Sequence, residues 1–177
     1  MTTRSLTATA FLLATVCGIA PVVHVQAGAD SVAFPENYAA GAKWLVIDKA
    51  ERKEVHEHYA TPAAIEAARR GQPMPNGTVF TLVRYAAQLD GKGNPLKDAN
   101  GRLVKGELAG FGVMEKRAGW GSEYPETLRN GEWEYRVFTP DKKPNPNMKL
   151  AACFECHKAQ AGHDFVQAYD RLKEAAR

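Results

Sequence analysis

The pattern of apolar and polar positions is clearest in Thr78–Leu89, a run rich in β-branched and aromatic residues with partial alternation, which predicts a long strand. Shorter runs predict further strands at Trp44–Lys49, Lys53–Tyr59, Glu107–Lys116 and Glu132–Thr139, with a turn near Glu51-Arg52 joining the first two of these. Tyr38 to Trp44 reads as a short helix leading into the first strand. Thr61-Pro62 opens a helix over Pro62–Arg70, with Thr61 capping the free N–H groups and Pro62 suited to the first turn. Gly71 then supplies the left-handed residue that ends it. Residues Asp90–Gly106 are a polar, glycine-rich loop with turn signals at Asp90-Gly91 and Asn100-Gly101. Pro140–Asn147 is extended, Ala151–Ala161 helical, and Asp164–Lys173 a last short helix. The expected fold class is α+β: a single domain with a mostly antiparallel sheet of about five strands, edge helices and a C-terminal helical segment.

The first 27 residues stand apart from this pattern. One charge, Arg4, precedes an apolar run from Ala8 to Ala20, and Val25-Gln26-Ala27 has the small-x-small shape of a signal-peptidase site. The expectation is a cleaved secretory signal over residues 1–27 and one domain over 28–177, exported to the periplasm. An uncleaved N-terminal anchor is the alternative, and the residues before Cys17 make a poor lipobox. No later stretch is long and apolar enough for a stable membrane span. The net charge of +3 gives no reason to expect a nucleic-acid partner.

Removing the leader changes the cysteine arithmetic. Three cysteines become two, Cys153 and Cys156, in a compartment that oxidises loose thiols. They lie in Cys153-Phe154-Glu155-Cys156-His157. Two thiols on one helical turn can each form a thioether to a haem vinyl group, and His157 beside them can ligate the iron as proximal ligand. This reads as one covalently attached haem c. Three rival readings stay open: a plain disulfide or buried structural pair, a thioredoxin-like redox pair, and a zinc site from Cys153, Cys156, His157 and His163. A redox pair should follow a strand in a βαβ pattern, and zinc usually wants a second ligand pair. No methionine follows His157, so a sixth iron ligand would come from Met74, Met114, Met148, His56, His58 or His163. None is marked out by the sequence, which favours an open distal face able to coordinate small molecules.

Several segments together resemble the cytochrome P-460 family and the related c-prime-beta cytochromes. They are Pro73–Thr78 (PMPNGT) before the long strand, Gly119-Trp120-Gly121, Trp133–Thr139 (WEYRVFT), and CFECHKAQ followed by Asp164-Phe165-Val166. The resemblance runs from about Phe34 to Val166. It implies an antiparallel β fold, often dimeric, with a five-coordinate c-type haem that binds nitric oxide and related small diatomic or nitrogenous ligands. Some members oxidise hydroxylamine through a haem cross-linked to a lysine in the strand after the turn. Here that strand has Leu82 at the corresponding place, with Arg84 its only cation and Lys92 beyond it in the loop. Ligand binding or electron exchange with a redox partner protein is therefore favoured over hydroxylamine turnover.

Two further haem-contacting candidates emerge. His56 lies roughly where relatives carry an arginine near the distal pocket, and it could donate a hydrogen bond or shuttle a proton to a bound ligand. The alternative is a solvent-facing strand histidine. Phe80 is a candidate apolar lid over the distal iron, with ordinary sheet core as the alternative. His58 shares a strand face with His56, Met148 lies where the chain could pass over the distal side, and Arg171 and Lys173 could guide an acidic redox partner.

Overall fold

The computed structural model describes residues 28–175, so the leader expected over residues 1–27, with Cys17, lies outside the described residues. Five strands, β1 (Ala42–Lys49), β2 (Glu54–Ala60), β3 (Val79–Ala87), β4 (Lys105–Lys116) and β5 (Trp133–Phe138), form one sheet in the order of the chain. Every neighbouring pair is antiparallel. Three α-helices accompany them: α1 (Pro62–Arg70), α2 (Leu150–Lys158) and α3 (Tyr169–Ala175). This is the α+β arrangement the sequence pattern predicts, with the thiol-bearing segment helical and near the C-terminus.

Four local expectations are corrected. The stretch before β1 is only a 3-10 turn, Tyr38–Ala40, because Gly41 packs against β2 so closely that a Cβ there would sit 2.5 Å from the Ala60 carbonyl oxygen. Pro62 and Gly71 begin and end α1 as expected, Gly71 at φ 65°. Thr61, however, does not cap the helix with its side chain, and its hydroxyl is buried without a hydrogen-bond partner. The Asp90–Gly106 loop is partly laddered, with bridges between Leu89 and Pro95 and between Lys97 and Leu103. The last helix starts at Tyr169 rather than Asp164, since Asp164, Phe165 and Ala168 all take left-handed backbone.

The two-residue period of the strands places apolar side chains on both sheet faces. On one face Ala60, Phe80, Met114, Trp133 and Tyr135 pack with Ala64 and Ala68 of α1, Phe154 of α2 and Leu172 of α3. On the other, Val83, Phe111, Val113 and Phe138 pack with Val32, Trp120 and Phe34 from outside the sheet. The ring of Phe34 meets that of Phe111 edge-on at 4.8 Å between centroids.

Buried carboxyls interrupt this packing. Glu134 of β5 is fully buried and pairs in register with Glu115 of β4. It accepts one hydrogen bond, from the Tyr124 hydroxyl at 3.1 Å, while its Oε1 has no partner. Burial pushes its pKa up to about 7, with the nearby Glu123 charge adding to the effect and the Tyr124 bond opposing it. Between pH 4.5 and 7 the folded protein holds a proton that the unfolded chain has released, so stability falls as pH rises through that window. Glu134→Gln stays neutral throughout. Its stability advantage over the native chain should grow by about 3 kcal/mol from pH 5 to pH 8 in urea unfolding; parallel pH profiles would show that the carboxyl is ionised in the fold.

Candidate functional site

Helix α2 carries the chemistry of the molecule. Cys153, Cys156 and His157 stand at i, i+3 and i+4, and so share one face of this nine-residue helix. Both thiols are free, Cys153 half-buried and Cys156 exposed. Burial raises the pKa of Cys153. The helix is anchored by Phe154, whose fully buried ring lies 4.8 Å from that of Tyr124 and 5.0 Å from that of Tyr135. Buried Asn130 ties the same elements together, its Nδ2 donating at 3.0 Å to both the Tyr135 hydroxyl and the Phe154 carbonyl. At the far end Lys158 Nζ donates to the Glu126 and Arg129 carbonyls, each at 2.8 Å. Gln167 Nε2 donates to the Cys156 carbonyl at 2.8 Å.

His157 is held in one tautomer. Its Nδ1 lies 2.8 Å from the Phe165 carbonyl oxygen, which can only accept, so Nδ1 carries the proton and Nε2 keeps its lone pair. Burial lowers the pKa of His157, partly offset by this bond, and the ring is therefore a neutral donor ligand at neutral pH. The ring packs against Tyr135 at 4.8 Å between centroids.

Two residues beyond the buried row Ala60–Phe80–Met114–Tyr135, the register sets Leu45, His58, Leu82, Gly112 and Val137 side by side across all five strands. Leu82, Gly112 and Val137 are only half-buried, unlike the packed row beside them. Gly112 contributes no side chain, leaving a flat apolar strip beside Leu82 on the helix-bearing face. His58 adds a polar atom to this row: its Nε2 is buried with no hydrogen-bond partner. Burial, with nearby His56 and Lys49 adding to it, lowers the His58 pKa to about 4, so the ring is neutral.

The chain belongs to the cytochrome P460 family, whose profile, described as Cytochrome P460, matches residues 35–168. No match is found among curated proteins.

The residues present fit a haem. The family implies haem iron: a neutral imidazole with a free lone pair can ligate it, two thiols stand on the same helix face, and a half-buried apolar row holds a buried, unpartnered histidine nitrogen. The zinc reading finds no counterpart: among the described residues no three His, Cys, Asp or Glu side chains gather as a metal-binding group. His163 instead stacks on the Tyr169 ring at 5.1 Å and 13°.

Most candidates for a sixth ligand are otherwise engaged. Met74 and Met114 are core residues. The Met148 sulfur accepts the Val137 N–H at 3.2 Å. His56 is buried rather than solvent-facing, and its Nε2 is 2.7 Å from Glu54 Oε2. Burial lowers its pKa, with Glu54 opposing. Phe80 packs at 6.3 Å from Trp44 and 5.9 Å from Trp133 as part of the core. Of the two strand histidines, His58 is the one with an unpaired nitrogen in the Leu82 row.

Sequence reasoning missed Asn130 and Glu54. Asn130-Gly131 reads locally as a turn, and nothing in the sequence signals that its amide is buried between β5 and α2. Glu54 could have been found from the alternation Glu54-Val55-His56, which sets the two polar side chains on one strand face.

Proposed function

We propose that this protein is an exported, periplasmic c-type cytochrome with one covalently bound haem, whose open distal face binds small diatomic or nitrogenous ligands such as nitric oxide. The observation that carries this reading is His157, fixed as the Nδ1–H tautomer by the Phe165 carbonyl on the same helix face as Cys153 and Cys156. Each thiol would add its S–H across one vinyl group, a reaction that balances without any leaving group. His157 Nε2 would ligate the iron, and the iron would supply reversible coordination of the small ligand.

This chain's own residues account for the rest. The Leu82–Gly112–Val137 strip offers an apolar floor that excludes water. His58 is the group able to exchange a hydrogen bond with a ligand through its unpaired Nε2. The internal engagement of Met74, Met114, Met148 and His56 supports an open sixth position. Leu82 in place of a lysine removes the nucleophile for a further cross-link, which favours ligand binding over hydroxylamine oxidation. The exposure of Cys156 favours an additional electron-transfer role, since it puts one attachment point at the surface, within reach of a redox partner protein. A homodimer is part of the proposal on family grounds alone.

Acid-acetone extraction followed by visible spectra tests the whole reading. Colour should stay with the polypeptide, and the reduced protein should be high-spin and change spectrum on adding nitric oxide or carbon monoxide. Haem that moves into the organic phase would overturn covalent attachment. A low-spin spectrum in both oxidation states, indifferent to these gases, would overturn the open face.

A further inference from the structure

The segment that supplies the Phe165 carbonyl to His157 is unusual in its backbone. Asp164 has φ 50° and Phe165 φ 62°, two consecutive left-handed residues that are not glycine. Aspartate tolerates this region, but for a bulky residue such as phenylalanine it is a genuine outlier and needs holding in place. The Asp164 carboxylate is where the holding is concentrated. Its Oδ2 accepts from the Met74 backbone N–H and from Lys116 Nζ, each at 2.8 Å, and its Oδ1 accepts from the Trp133 indole N–H at 3.3 Å. These donors come from the segment before β3, the end of β4 and the start of β5. A second tie runs from the Phe165 N–H to the Gln160 carbonyl at 2.8 Å. The carboxylate thus clamps one end of the sheet to the turn whose next carbonyl fixes the tautomer of His157.

We infer that Asp164 is a positioning residue for the iron's axial histidine: through its three donors it holds the left-handed Asp164–Phe165 turn so that the Phe165 carbonyl meets His157 Nδ1. This rests on the proposed ligation of haem iron by His157. A hydrogen bond from the far nitrogen of a ligating histidine fixes ring orientation and makes the ligand more basic, which strengthens the metal–nitrogen bond and favours the oxidised metal. With the clamp removed, the turn relaxes and the carbonyl recedes. The ligand becomes a weaker donor, and the reduction potential rises.

Asp164→Asn is the primary variant. It keeps the size of the side chain and asparagine's tolerance of left-handed backbone. It removes the charge opposite Lys116 and turns an amide N–H₂ toward groups that can only donate. Lys116→Met removes a single arm of the clamp at nearly constant shape. The holoprotein is read by the iron–histidine stretching band of the reduced state in resonance Raman spectra, by redox titration and by thermal unfolding. The expected result for Asp164→Asn is a lower stretching frequency and a tenfold shift of the one-electron equilibrium toward the reduced form, about 59 mV. Lys116→Met should move both quantities in the same direction by less. A purely structural role would lower the unfolding temperature and leave band and potential in place; that result in both variants overturns the inference. If Asp164→Asn yields no folded protein, Lys116→Met decides by the same criterion. A native protein with no iron–histidine band would sink the ligation reading itself, whereas a native band that neither variant moves sinks only the role of Asp164.

Discussion

Replacing His157 by alanine should leave a folded, coloured protein that has lost its iron–histidine stretching band. The two thiols proposed to attach the haem sit at other positions of α2, and neither proposed thioether bond uses the imidazole. The helix is held by Phe154, Asn130 and Lys158, none of which involves His157. Alanine also has the highest helix propensity, so the backbone is not harmed. What disappears is the one neutral nitrogen whose tautomer the Phe165 carbonyl fixes. Imidazole added to the variant should restore the band by occupying the space left behind. A variant whose reduced spectrum matches the native one would mean that another side chain, His58 or His163, ligates the iron.

Phe154→Ala should be the most destabilising single change at the site. Its ring is fully buried between two tyrosine rings. Removing such a side chain costs about 3–5 kcal/mol through lost transfer energy and an incompletely collapsed cavity. The loss should also detach α2 from β5, because the Asn130 bond to the Phe154 carbonyl depends on the helix staying seated. Urea unfolding of the variant should show a lower midpoint, and its cysteines should react faster with a thiol reagent when the haem-free chain is assayed. A loss below about 1 kcal/mol would show that the helix is held mainly by its polar ties.

The sheet was legible because its evidence is local. Alternation over six to twelve residues marks each strand, and the observed β3 and β4 fall within a few residues of the runs read from the pattern. The cysteine–histidine turn was legible for the same reason, since its spacing is complete within five consecutive residues. What escaped depends on partners far along the chain. His56 looks like a surface histidine until register sets Arg84 opposite it, with Arg84 Nη1 3.5 Å from Glu54 Oε1. For Phe80 the sheet-core reading, one of the two the sequence left open, is decided only by Trp44 and Trp133, at distances in sequence that no window spans. The start of α3 was misplaced because helical composition continues through Asp164–Ala168 while the backbone does not. The reversal there is set by the carboxylate's contacts with three separate segments, which propensity cannot register.

Because every strand pairs with its immediate predecessor in the chain, no step of sheet assembly has to wait for a strand further along. Helix α2 is different: its seat is made by β5 and the 124–130 segment, and it sits beyond the last strand. Its Phe154 then completes the core on one face of the sheet. Under the proposed N-terminus-first export, the part bearing the thiols would follow the strands on which it docks.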